Sequence, residues 1–229
     1  MLGGSCGAHA PSISRMASPM QEPAPRAPIF NQLPAVVVGL SAAIVAAHAL
    51  GALFVPFHQI QMWLGALVTG RPPAGFPGQP LNGIPALVLH VFVHGGWTHL
   101  LMNLFILLAA GNVAARPFGR GVMAGAGFLA FFFLCAAVGG AFHLLLSGPE
   151  FGLMIGASTG VSGLIAAAGW ATGGRTGMLR LALPWLVINI AMGLFGLFYS
   201  LPISWAGHIG GLVAGAVFYP LFVRWFRRG

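Results

Sequence analysis

The sequence predicts an all-α polytopic membrane protein, a bundle of six transmembrane helices. Three observations carry that prediction. First, 58% of the 229 residues are hydrophobic and only 5% are charged, whereas soluble chains carry about 25% charged residues. So few charges build no water-facing surface, so the chain belongs in a bilayer. Second, six continuous apolar runs are each long enough for a core of roughly 30 Å. Third, the arginines sort to one side of such a bundle. Continuous runs rather than period-two alternation exclude a transmembrane barrel.

The runs lie near 35–57, 84–114, 121–146, 155–172, 179–199 and 205–224. The second is overlong, so its start is expected to be loop or re-entrant. The segment 58–83 contains RPPAGFPGQP. It is too long and proline-rich for a simple turn and is expected to be a structured surface loop. Residues 1–34 hold six prolines, several serines and scattered charge, which reads as a disordered cytoplasmic tail ahead of a membrane domain over 35–229. The tail has no basic stretch leading into an apolar core, so it does not read as a secretory signal.

With six crossings, Arg15, Arg26, Arg116, Arg120, Arg175, Arg180, Arg224, Arg227 and Arg228 share one side, and only Arg71 falls on the other. The positive-inside rule then places both termini in the cytoplasm. The net charge of +8 belongs to this sidedness. The arginines lie singly or in pairs between apolar runs, so no nucleic-acid-binding face forms. Cys6 and Cys135 give no disulfide framework. A lysine-free, arginine-using chain of this size points to a bacterial inner (plasma) membrane.

The octapeptide GASTGVSG, Gly156 to Gly163, sets two serines among glycines inside an apolar stretch. Counting up the fourth helix at ~1.5 Å per residue puts Ser158 within the apolar zone, roughly 10 Å below its outer edge. A serine needs a base to be a nucleophile at neutral pH. The sixth run opens SWAGHIGGLVAG, which puts His208 at the same depth. Gly207, Gly211 and Gly215 recur every four residues on that helix, and Gly156 and Gly160 do so near the serine. Small residues at this spacing let membrane helices approach closely, which would set Ser158 against His208. There is no Asp in the chain to orient the imidazole in the usual way, so the expectation is a Ser-His dyad whose imidazole is held by packing. The second run holds HGGWTHLLMN, where His99 and Asn103 share a helix face. With the Ser158 N–H they could surround one oxyanion. Polar side chains from three helices meeting at one depth are costly in a membrane unless they serve a function.

These three motifs resemble those of the rhomboid intramembrane serine proteases. GASTGVSG resembles their GxSG-type motif, HGGWTHLLMN their second-helix HxxxN, and GHIGGLVAG their sixth-helix histidine with its glycine zipper. The resemblance covers about residues 84–224. It implies Ser158 as nucleophile, His208 as general base, and His99, Asn103 and the Ser158 N–H as oxyanion stabilisers. It implies transmembrane segments of other proteins as substrates, cut through an acyl-enzyme with no metal or cofactor. The chain departs from the family pattern at Thr159, where glycine is usual. It departs again at Ser162, where an aromatic residue often stacks on the histidine, and at Pro85 and Ala86, where a Trp-Arg pair is expected.

Among the other polar residues, Ser162 reads as packing and His94 as a loop anchor. His48, His58, His90 and His143 read as structural or interfacial. Two alternatives stay open: a catalytically impaired relative that binds transmembrane segments, and a membrane metal carrier using His94, His99, His143 and His208.

Overall fold

In a computed structural model the described residues are Met1, Gly3, Gly4, 33–196, Phe198 and 203–226. The chain divides into two units, Met1–Gln32 and Leu33–Gly229. The expected disordered tail lies almost entirely outside the described residues, and the fold below is that of the second unit.

Helix α1 spans Ala35–Leu53 and is followed at once by α2, Val55–Gly65. Phe54 is extended (φ −126°, ψ 105°) and Pro56 sits in the first turn of α2, where a missing N–H costs nothing. Gln61 Nε2 donates to Ala47 O at 3.0 Å, tying α2 to α1. A short strand β1, Leu67–Thr69, then pairs antiparallel with β2, Gly152–Met154, with Val68 opposite Leu153. The segment 58–83 is therefore structured, as expected, and it reaches the chain just ahead of the GASTGVSG stretch.

The overlong second run resolves as anticipated. Its start is a short helix α3, Ala86–Leu89, with a 3₁₀ turn over His90–Phe92. The chain then opens at 93–96, and Gly96 (φ 153°) leads into α4, Trp97–Ala115. Helix α5 covers Val122–Leu146. Helix α6, Ser158–Phe195, is 38 residues long but breaks at Gly173 and Gly174, the latter at φ 57°. Helix α7 spans Trp205–Phe226.

The break divides α6 into a first arm, 158–172, and a second arm, 175–195. In one straight helix Trp185 would lie about 35 Å from Ser162. Instead Trp185 Nε1 donates to Ser162 Oγ at 3.0 Å, and a Cβ on Gly169 would meet Gly177 O at 2.5 Å. The chain therefore folds back on itself, and the two arms run antiparallel. Among the described residues, five helices are long and apolar enough to cross a membrane: α1, α4 with its 3₁₀ extension to Phe118, α5, α6 and α7. The six separate runs expected from sequence differ from this because the fourth and fifth are joined through the broken α6.

Phe128, Phe131, Phe132, Leu100, Leu107, Leu164 and Ile44 are fully buried and fill the centre. Phe105, Leu101, Val187, Val217 and Leu221 stand exposed on helix flanks, an arrangement costly in water and natural against lipid. Tyr219 Oη donates to Ala114 O at 2.8 Å, which ties α7 to α4.

Candidate active site

Ser158 is the first residue of α6 and is half-buried. Ala157 precedes the helix without a side-chain cap, and the first intrahelical bond runs from Val161 N to Ala157 O. The N–H groups of residues 158 to 160 therefore lack intrahelical acceptors, as at any helix start. The positive end of the helix dipole also lies at the serine. Both features favour negative charge beside Ser158.

The turn before Ser158 is held from one side by the 90–99 segment. Gly156 N donates to His90 O at 2.9 Å, and Ala157 N donates to His94 Nε2 at 3.4 Å. His94 thus anchors this turn. Gly156 itself is not a helix-packing glycine, as had been expected from its spacing to Gly160. It lies ahead of α6 at φ 109°, and a Cβ there would meet the His99 ring at 2.6 Å. Its role is to let the imidazole approach the backbone. Asn103 Nδ2 lies 3.8 Å from the same point and donates to His99 O at 2.9 Å. Thus His99 and Asn103 meet the turn that carries the serine.

The glycines of α7 bring the helix of His208 alongside. A Cβ on Gly211 would run into the Thr159 backbone, and one on Gly215 into the Gly163 backbone. A Cβ on Gly207 would meet Ser204 Oγ at 2.5 Å and the Thr159 methyl at 3.1 Å. The pairs rise together along both helices, so α7 and the first arm of α6 run parallel, starting side by side. His208 is therefore in the first turn of α7 and Ser158 in the first turn of α6. Gly160 serves a different contact, against the Phe132 ring of α5. Among the described residues no hydrogen bond joins Ser158 Oγ to His208; the packing brings their helix ends together.

His208 is buried, and its Nδ1 lies 2.8 Å from Asn189 Oδ1. Packing alone was expected to hold this imidazole, so Asn189 is a residue that the sequence reading missed. Its signal was an amide in an apolar run, four residues after Trp185, since intramembrane polar side chains point to function. The Trp185 ring lies 6.1 Å from the His208 ring at 35°. Trp185 also bonds Ser162 Oγ, which in turn donates to Ser158 O at 2.7 Å. An indole from the second arm thus lies beside His208, and Ser162 is its hydrogen-bond partner rather than inert packing.

Thr159 is turned toward His90. Its hydroxyl lies 2.8 Å from His90 Nε2, while His90 Nδ1 meets Ala86 O at 2.8 Å. A carbonyl only accepts, so Nδ1 carries the proton and Thr159 donates to Nε2.

A family model for the Rhomboid domain matches residues 82–225, more than half of the chain. The chain belongs to the rhomboid family. No curated protein matched it in a search. The rhomboid assignment agrees with the resemblance drawn from the three motifs and with an integral, multi-pass membrane protein. The metal-carrier alternative finds no support: among the described residues no group of three or more His, Cys, Asp or Glu side chains could hold an ion. His143, one of its four histidines, faces Ser204 Oγ at 2.8 Å.

Proposed function

We propose that this rhomboid is an intramembrane serine endopeptidase that hydrolyses transmembrane segments of other membrane proteins. The observation that carries the reading is the side-by-side start of α6 and α7. It sets Ser158 at an uncapped helix N-terminus beside the helix whose first turn carries His208. In this reading both arms of α6 cross the bilayer, giving six crossings. The arginine distribution then puts both termini in the cytoplasm and the site toward the opposite face.

Ser158 Oγ attacks the scissile carbonyl as His208 takes its proton. The carbonyl oxygen, now negative, is met by the Ser158 N–H, an N–H of His99 and the amide of Asn103. His208 then protonates the leaving amine, and water hydrolyses the acyl-enzyme. The substrate helix enters past the second arm of α6. An intact helix hides its carbonyls in i to i−4 bonds, so substrates with helix-breaking residues near the cleavage point are favoured. Thr159, turned to His90, leaves the oxyanion side open, which favours an active enzyme over an impaired relative.

The test is reconstitution in liposomes with a single-span substrate carrying a glycine-proline break. Cleavage by the parent and none by Ser158→Ala or His208→Ala is expected. Cleavage that persists in Ser158→Ala contradicts the proposal.

A further inference from the structure

Asn189 is fully buried on an arm that is otherwise largely exposed. Of residues 175–195, only Ala182 and Asn189 are buried. A buried primary amide in a membrane span is costly unless its groups are satisfied. Asn189 satisfies both ends. Nδ2 donates to Trp185 O at 2.8 Å, and Oδ1 faces His208 Nδ1 at 2.8 Å.

This pair of bonds fixes chemistry that coordinates alone do not. The Trp185 carbonyl only accepts, so the amide must turn its NH₂ toward it. The amide oxygen is then the atom facing the imidazole. An oxygen without a proton only accepts, so His208 carries its hydrogen on Nδ1. The lone pair is left on Nε2, the nitrogen free to take a proton from a hydroxyl. The amide thus selects the tautomer that a general base requires, and it stabilises the imidazolium by a bond to its charged form.

We infer that Asn189 is the positioning residue of the base, so that Ser158, His208 and Asn189 act as one unit whose third member is carried by the second arm of α6. The inference rests on the proposed hydrolase reading and deepens it. It also links the two arms. Trp185, one turn before Asn189, reaches Ser162 and through it the Ser158 carbonyl. The second arm therefore holds both halves of the catalytic pair, and the base is set for chemistry only while that arm is seated.

The experiment compares full-length parent, Asn189→Ala and Asn189→Asp in liposomes with the single-span substrate. Asn189→Ala is expected to lower kcat by at least ~10-fold with KM little changed, because orientation of the base is lost and not substrate binding. Asn189→Asp retains the acceptor and is expected to restore most of kcat. Its kcat/KM profile should move its acid limb to higher pH, since a carboxylate beside the imidazolium holds the proton. His99 and His143 are the other titratable groups whose charge reaches His208, and both are unchanged across the series. An Asn189→Ala protein with parental kcat and pH profile overturns the inference, as does an Asn189→Asp protein that is folded and no better than Asn189→Ala. A second readout needs no activity. In protein labelled with ¹⁵N in the histidine rings, the His208 signals, identified by their loss in His208→Gln, should report a protonated Nδ1 and a bare Nε2. A parent protonated at Nε2 overturns the inference even if Asn189→Ala fails to fold. Loss of all cleavage dependence on Ser158 would sink the hydrolase reading instead, and leaves the NMR result to decide the Asn189–His208 bond by itself.

Discussion

The two arms of α6 have similar hydrophobic character and opposite surroundings. In the first arm Thr159 to Leu164 and Ala166 to Gly169 are all buried, most of them small. Gly163 abuts both Cys135 and α7, and Gly160 lies under the Phe132 ring. The second arm exposes Leu183, Val187, Ile188, Ile190 and Leu194 and touches the rest of the bundle through a few specific groups. The first arm is held by close backbone approach to α7 along its length. The second arm approaches the first closely near the bend at Gly177, packs Ala182 against Ala166 and Leu212, and adds hydrogen bonds from Trp185 and Asn189. Small residues hold Ser158 in a place that barely gives. The neighbouring arm is joined through Trp185 and Asn189, which suits the proposed entry of a substrate helix past it.

Substitutions can break or sharpen that contrast. Outside the Ser-His pair and Asn189, the largest effect on turnover is expected at Asn103, on α4, which meets the turn leading into the first arm. Asn103→Ala should reduce kcat on the order of tenfold or more as an oxyanion donor is lost. Unchanged turnover in the liposome assay would remove Asn103 from that role. Next comes Gly211→Val. Its side chain has nowhere to go but the Thr159 backbone, so thermal unfolding in detergent should show a loss of about 1–3 kcal/mol. A parental melting curve would mean that the two helices are not in close backbone contact.

Thr159→Val keeps the shape and removes the donor to His90 Nε2. A buried acceptor left without a partner costs about 1–3 kcal/mol, so stability should fall while kcat stays near the parent. A large rise in kcat would mean that Thr159 obstructs the oxyanion site after all. Trp185→Phe keeps a ring beside His208 and removes one N–H bond to Ser162, for about 0.5–1.5 kcal/mol. On the exposed flank of the same arm, Val187→Ala should change stability by no more than about 0.5 kcal/mol. If Val187→Ala proved as costly as Gly211→Val, the contrast between the arms would be wrong.

Much of this was legible in the sequence because membranes simplify the code. Long apolar runs mark crossings, and small residues four apart mark close helix contacts. That is how Gly207, Gly211 and Gly215 could be read as a packing face, and how Ser158, His208, His99 and Asn103 could be set in one neighbourhood. The structure brings these residues to neighbouring turns. Three features were not legible. Strands of three residues carry no usable periodicity, so the β1–β2 pairing was hidden within a loop. Gly156 shares a four-residue spacing with Gly160, but spacing does not reveal that α6 starts only at Ser158. Asn189 lay in a run where every neighbour reads as lipid-facing or core. Its partner is 19 residues away on another helix, a pairing that only the fold-back of the two arms creates.

The most direct measurement is labelling by a fluorescent fluorophosphonate of the parent beside Ser158→Ala and His208→Ala, in mild detergent. A serine that reacts requires both an activated hydroxyl and an oxyanion site. The account predicts labelling of the parent and none of either variant. A folded parent that takes no label, or a Ser158→Ala protein that still does, would contradict it.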